Sequence, residues 1–161
     1  MQRLFAPWRF EYVTHAEAMS GCIFCEAVAG VEGALTLIRE DHAFALLNRY
    51  PYTSGHSMVA PLRHVGDLDE LEEPELASMM RLVQRVTVAL RQVYHPHAFN
   101  LGMNLGESAG AGIPEHLHMH VVPRWRGDTS FMTVTGDVRV IPEDLATTLE
   151  KVRGALGVQD G

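Results

Sequence analysis

Glu115-His116-Leu117-His118-Met119-His120-Val121-Val122-Pro123-Arg124 alternates histidine with apolar residues and runs into a Val-Val-Pro stop. Strand side chains alternate faces with a period of two. Read as a strand, the segment puts His116, His118 and His120 on one face and Leu117, Met119 and Val121 on the other. On a helix, successive imidazoles would be turned by about 200° and share no face. The expectation is a half-buried strand with a histidine-lined working face.

Working outward, Leu105-Gly106-Glu107-Ser108-Ala109-Gly110-Ala111-Gly112-Ile113-Pro114 precedes the strand. Its glycines allow backbone amides to come close to an anion. Phe99–Asn104 reads as another strand. Leu35–Ile38 and His42–Leu47, separated by Arg39-Glu40-Asp41, read as a hairpin, and His56–Pro61 as the strand after a turn-rich loop. Between them lies the longest helix, about Glu73 to Tyr94. Pro74 sits in its first turn, acidic residues lie at its positive end, and Pro96 stops it. Leu76, Met79, Met80, Val83, Thr87, Leu90 and Tyr94 recur at three- and four-residue spacing as its apolar stripe, with Met79 and Met80 as core filler. Cys22 to Ala29 reads as a short helix ended by Gly30. Phe131–Thr135 and Val138–Val140 around Gly136-Asp137 suggest a hairpin, and a last helix follows Ile141-Pro142-Glu143-Asp144 with Leu145, Leu149, Val152 and Leu156 on one face. The class is α+β, with a mainly antiparallel sheet of about five strands, one long helix, a short N-terminal helix and a C-terminal helix. The expected organisation is an arm over residues 1–20, a core over 21–125, and a hairpin and helix over 126–161 packed on the same domain.

The chain has 161 residues, 47% hydrophobic and 20% charged, enough for a real core. Its net charge of −7 argues against a nucleic-acid polymer as partner, though a local phosphate pocket stays compatible. No apolar run is long enough to span a bilayer, and the opening residues carry no signal-peptide core, so a cytoplasmic protein is expected and no membrane partner. The two cysteines, in Cys22-Ile23-Phe24-Cys25, suit a reducing compartment; such a pair serves metal binding, redox chemistry or neither. Nine histidines is a high count for this length and needs an account.

Three imidazoles side by side would leave many polar nitrogens to satisfy if they had no task. Two chemical readings survive: a catalytic metal held by two or three of them, or one histidine attacking phosphorus while its neighbours hold it and the oxyanion. Asn104, Ser108 and Arg124 are donors suited to phosphate oxygens and favour the second. Glu115, the nearest carboxylate, faces the other way by the alternation.

His116-Leu117-His118-Met119-His120-Val121-Val122 resembles the histidine-triad (HIT) motif. The likeness extends over about residues 20–125 in the same order. Asn48-Arg49-Tyr50-Pro51 with Ser54-Gly55-His56 and Val59-Ala60-Pro61 resembles the family's nucleoside-contacting segment, Gly106–Gly112 its phosphate loop, and the CxxC its N-terminal cysteines. Arg3–Trp8 and Trp125-Arg126-Gly127-Asp128 look more like the bacterial dinucleoside-polyphosphate branch, near the fragile-histidine-triad and diadenosine-tetraphosphate phosphorylase proteins, than like the phosphoramidase branch.

That resemblance implies a HIT-like fold and an enzyme cleaving dinucleoside polyphosphates at the α-phosphate through a nucleotidyl-histidine. A diadenosine-tetraphosphate phosphorylase with phosphate as acceptor, a nucleoside phosphoramidase and, outside enzymes, a nucleotide-sensing scaffold are the alternatives. It implies His118 as nucleophile, oriented through the His116 carbonyl, with His120 on the phosphate and leaving group and His56 in support. Asn104, Gly110, Ala111, Gly112 and Ile113 would hold the phosphates and Asn48 the ribose, with Phe44 and Leu46 at the base. Cys22, Cys25, His64 and His116 would form a structural zinc site, with no organic cofactor, and the chain would pair as a homodimer across the long helix and neighbouring strand. Ala109-Gly110-Ala111-Gly112 departs from the family by lacking the polar side chain often found before the triad. That leaves water and phosphate both open as acceptor.

Overall fold

The structure, a computed structural model, describes residues 21–31, 33–128 and 142–158. The aromatic arm and the hairpin expected at Phe131–Val140 lie outside these residues.

Among the described residues five strands, β1 (Thr36–Arg39), β2 (Ala43–Leu47), β3 (Ser57–Pro61), β4 (Ala98–Met103) and β5 (Met119–Arg124), form one sheet in the order β1-β2-β3-β5-β4. Every neighbouring pair is antiparallel. Among the described residues the α-helices are α1 (Ile23–Val28), α2 (Glu73–Tyr94) and α3 (Leu145–Leu156). This is the expected α+β architecture.

Strand alternation sorts the core into two layers. Ala43, Ala45, Leu47, Val59 and Val121 face α2, whose Leu82, Val86 and Leu90 are fully buried against them. Phe44, Leu46, Met58 and Ala60 face the other way and are covered by Phe24 and Ala27 of α1. Each fully buried large apolar side chain contributes about 1.5–3 kcal/mol, so the α2 layer carries most of the stability. The smaller α1 layer is where His116 and His118 meet Phe24. α3 packs on α2 and β1 through Leu145, Leu149 and Val152, and Asp144 caps it by accepting the Thr147 N–H at 2.8 Å.

α2 has the limits expected of it. Glu72 and Glu75 form a reciprocal capping box, with the Glu72 N–H donating to Glu75 Oε2 at 2.9 Å. His95 ends the helix in the left-handed conformation (φ 47°), just before Pro96.

Two expectations need correction. The apolar stripe of α2 does not include Met80, which is 53% exposed, or Leu76, which is also exposed. The buried stripe runs through Met79, Leu82, Val83, Val86, Ala89 and Leu90, while Leu76 and Met80 fall on the flank that the narrow sheet does not reach. The histidine stretch is also not one strand. β5 begins only at Met119, where pairing with Val59 and Met103 starts. His116 to His118 lie ahead of it, tied instead by the Leu117 N–H donating to the Val65 carbonyl at 2.6 Å. The ladder cannot reach them because β4 ends at Met103 and the glycine loop leaves the sheet there.

Candidate active site and metal centre

His118 is 6% exposed and its Nδ1 lies 2.9 Å from the His116 carbonyl oxygen. A carbonyl only accepts, so Nδ1 carries the proton and Nε2 presents a lone pair. Burial pushes the His118 pKa below the usual histidine value, only partly opposed by the bond to His116. The ring is therefore held in its neutral form with the Nε2 lone pair unengaged by that bond.

The tautomer of His120 follows from a chain of donors. The Tyr52 N–H donates to His56 Nδ1 at 3.0 Å, so the proton of neutral His56 resides on Nε2. His56 Nε2 is 3.0 Å from His120 Nδ1 and donates to it. The remaining proton of His120 is therefore on Nε2, on the side away from His56. Burial, then the neighbouring His118, lowers the His120 pKa to about 4. His118 and His120 are edge to face at 5.0 Å.

His116 is fully buried and faces elsewhere. Its Nε2 donates to the Pro61 carbonyl at 3.0 Å, which leaves the Nδ1 lone pair pointing at the cysteines. Nδ1 lies 3.3 Å from Cys22 Sγ and 3.6 Å from Cys25 Sγ, and His64 Nδ1 lies 3.2 Å from Cys25 Sγ. The four ligand atoms all fall within 4.8 Å of one another. A tetrahedral zinc with bonds of about 2.3 Å to sulfur and 2.05 Å to nitrogen sets its S and N ligands about 3.6 Å apart. The cluster fits such an ion, and the Pro61 carbonyl fixes the tautomer that leaves Nδ1 free to ligate. Burial and the adjacent Cys22 thiol push the Cys25 pKa upward. A dication reverses that tendency by drawing both groups out as thiolates.

The nucleotide-side residues are placed less simply. Phe44 and Leu46 are buried under α1, with Phe44 edge to face with Phe24 at 6.4 Å. Asn48 closes its own turn: Oδ1 accepts the Tyr50 N–H at 2.9 Å and Nδ2 approaches His56 Nδ1 at 3.5 Å. Asn104 Nδ2 donates to the Gly110 carbonyl at 3.4 Å and so braces the glycine loop. Within that loop the Ala109, Gly110 and Ala111 amides bond back to Gly106 and Glu107, and Gly106 and Gly110 hold φ of 78° and 88°. Gly112 lies beyond these closing bonds, and Ile113 packs toward α1. Ser108 and Glu115 are exposed. Arg124, expected as a phosphate donor, is instead bound bidentately to Asp128 at 2.6 and 2.9 Å and to Asn100 at 2.7 Å. A carboxylate four residues on, with matching planar geometry, outcompetes a distant site. Sequence reasoning passed over Phe24, Tyr52 and the Pro61 carbonyl. Phe24 was marked only by its place inside the CxxC, and the other two carried no signal in their residue type.

A family model described as the HIT domain matches residues 30–127. The chain is 41% identical over 158 residues to a Mycobacterium tuberculosis protein named AP-4-A phosphorylase, covering 92% of this chain and 80% of that one. Among solved structures it is similar to a Zn-bound histidine triad family protein from Mycobacterium smegmatis, with a TM-score of 0.71, 32% identity, and coverage of 85% of this chain and 94% of that one. A hypothetical histidine triad nucleotide-binding protein from Sulfolobus tokodaii strain7 also has a TM-score of 0.71, at 25% identity, with coverage of 84% and 92%. With the family model matching residues 30–127 and a relative 41% identical over 92% of the chain, and with the three histidines and the cysteine cluster gathered beside one another, this protein belongs to the HIT domain family.

Proposed function

We propose that the protein transfers a nucleotidyl group from a dinucleoside polyphosphate, such as diadenosine tetraphosphate, to inorganic phosphate through a covalent intermediate on His118. The observation that carries this is the His118 Nδ1 bond to the His116 carbonyl, which leaves Nε2 as a neutral nucleophile. Nε2 attacks the α-phosphorus in line. A P–N bond forms, the bridging P–O bond breaks, and the electron pair leaves with the remaining phosphates. His120 Nε2–H, oriented through His56, donates to the phosphate oxygens as charge develops. Phosphate then attacks the same phosphorus from the opposite side, and His118 leaves with its lone pair restored. Backbone amides of Gly112 and Ile113, with Asn104 bracing the loop, hold the phosphoryl oxygens. The nucleoside rests between the loop at Asn48 and the α1 layer.

Phosphate is favoured over water as acceptor because the relative named AP-4-A phosphorylase aligns over 92% of the chain. The small residues of Ala109-Gly110-Ala111-Gly112 also leave room for a second anion. Zinc held by Cys22, Cys25, His64 and His116 is structural, since four protein ligands leave no open position. It pins His116 and with it the carbonyl that orients His118. Free thiols in such a cluster suit the cytoplasm. Exposed Leu76, Met80, Val88 and Leu101, beside the sheet edge at β4, support pairing of two copies across α2 and β4.

Product analysis on diadenosine tetraphosphate tests the reading. With phosphate present, ADP plus ATP is expected. AMP plus ATP would replace phosphorolysis by hydrolysis, and no cleavage at all would overturn the proposal. Metal analysis should return about one zinc per chain; a folded, fully active, metal-free preparation would dismiss the structural zinc.

A further inference from the structure

Phe24 belongs to neither the metal ligands nor the groups that meet phosphate, yet its ring lies on both. It sits between the two cysteines on α1, is 1% exposed, and stacks at 30° on His118 with centroids 4.7 Å apart. The same ring lies 5.0 Å from His116 at 37°. His118 is thus held at three points: by the His116 carbonyl at Nδ1, by the edge contact with His120, and by an aromatic face. A single hydrogen bond at Nδ1 fixes the tautomer but leaves the imidazole able to swing about the donor direction. A flat apolar wall removes that freedom and keeps Nε2 aimed at one place. In-line attack is sensitive to such aim, since small misplacements of a reacting atom cost large factors in rate.

We infer that Phe24 is a positioning residue for His118, and that it couples the Cys/His cluster to the nucleophile because α1 carries both the ring and the two cysteines. This rests on the reading of His118 as the attacking group. Occupancy of the cluster then reaches His118 by two routes, through the His116 backbone and through the Phe24 ring. A merely space-filling Phe24 would be replaceable by leucine, which keeps apolar bulk but offers no planar face.

The test uses the full-length metal-loaded protein with isotope-labelled histidine. In the wild type, nuclear Overhauser contacts between the Phe24 and His118 rings are expected, with the His118 Cε1–H signal displaced by the aromatic ring current. Phe24→Leu should abolish that displacement and lower kcat for diadenosine tetraphosphate about tenfold or more, while KM changes less than about threefold and zinc content is retained; Phe24→Tyr should recover most of kcat. Chelation of the wild type should move the His118 signal toward its position in Phe24→Leu. Unchanged kcat in Phe24→Leu, a loss confined to KM, absent ring contacts in the wild type, or a His118 signal indifferent to chelation would each overturn the inference. The ring contacts and the chelation response need no variant, so a poorly folding Phe24→Leu still leaves it open to refutation. Turnover surviving in His118→Ala would instead remove the nucleophile reading and leave the ring contact standing.

Discussion

Acidification should weaken this fold through imidazoles whose pKa is lowered, and the size of one share follows from half-buried His120. The groups facing it are His118, His56 and Tyr52. Burial, then His118, lowers its pKa to about 4, against about 6.5 for the unfolded chain. Between those values the unfolded state binds the extra proton, so stability rises with pH there. The contribution is fully present above the unfolded value and drains away as the pH falls toward the folded one. At pH 5 the linkage relation gives a loss of about 2 kcal/mol relative to pH 7. The assay is urea unfolding at both pH values on the wild type and on His120→Asn, which keeps a hydrogen-bonding group but cannot titrate. The wild type should lose about 2 kcal/mol more than the variant on going from pH 7 to pH 5. Equal losses in the two proteins would refute the reasoning, because the half-buried neutral imidazole of His120 would then not be a source.

Two further substitutions probe the frame around the site. A Cβ on Gly66 would stand 2.8 Å from the Pro114 carbonyl oxygen and 3.4 Å from the Glu115 Cα, both backbone atoms. Gly66→Ala should therefore part the seam that keeps His64 beside His116, costing about 1–3 kcal/mol and speeding zinc loss to a chelator; unchanged thermal unfolding and zinc retention would contradict this. Glu75 accepts Arg63 Nε at 3.0 Å and Nη2 at 2.7 Å as well as the Glu72 N–H at 2.9 Å. Arg63 is 47% exposed, so its charge is largely screened and the pair contributes about 1 kcal/mol or less. With loss of the capping box, Glu75→Ala should cost about 1–2 kcal/mol in denaturant unfolding at pH 7. Because Arg63 holds the Glu75 pKa below the usual glutamate value, the ion-pair share is present above that value and vanishes as the pH falls through the lowered one. A cost that persisted unchanged well below that pH would implicate packing instead.

Local pattern made much of the fold legible. The apolar run of β2, the strand read at β3 after its turn-rich loop, and the 22-residue span of α2 depend on neighbouring residues alone, and the sequence signals for them match the structure. The extent of the histidine strand was not legible, because it is set by where β4 ends across the ladder. Met80 reads as core by spacing, but whether a flank is covered depends on the width of the sheet beneath it. In the site, long-range geometry had the last word. The cluster of Cys22 and Cys25 with His64 and His116 joins residues more than 90 positions apart, and only the family resemblance linked them beforehand. Arg124 shows the converse: its residue type suited phosphate, yet Asp128, four residues on, holds it. Phe24 and the Pro61 carbonyl act through position, which residue type does not report.

The three histidines share a segment but differ in surroundings: His116 joins the Cys/His cluster, His120 is hydrogen-bonded to His56, and of the three His118 has its Nε2 lone pair beside the apolar wall of α1. Rapid quench in alkaline denaturant of the protein mixed with diadenosine tetraphosphate in the absence of phosphate, followed by peptide mass spectrometry at a pH that preserves the acid-labile P–N bond, tests this most directly. The account predicts a nucleotidyl group on the peptide carrying His118, located to that residue, and absent from His118→Ala together with turnover. A nucleotidyl group on another residue, or turnover by His118→Ala at the wild-type rate, would contradict it.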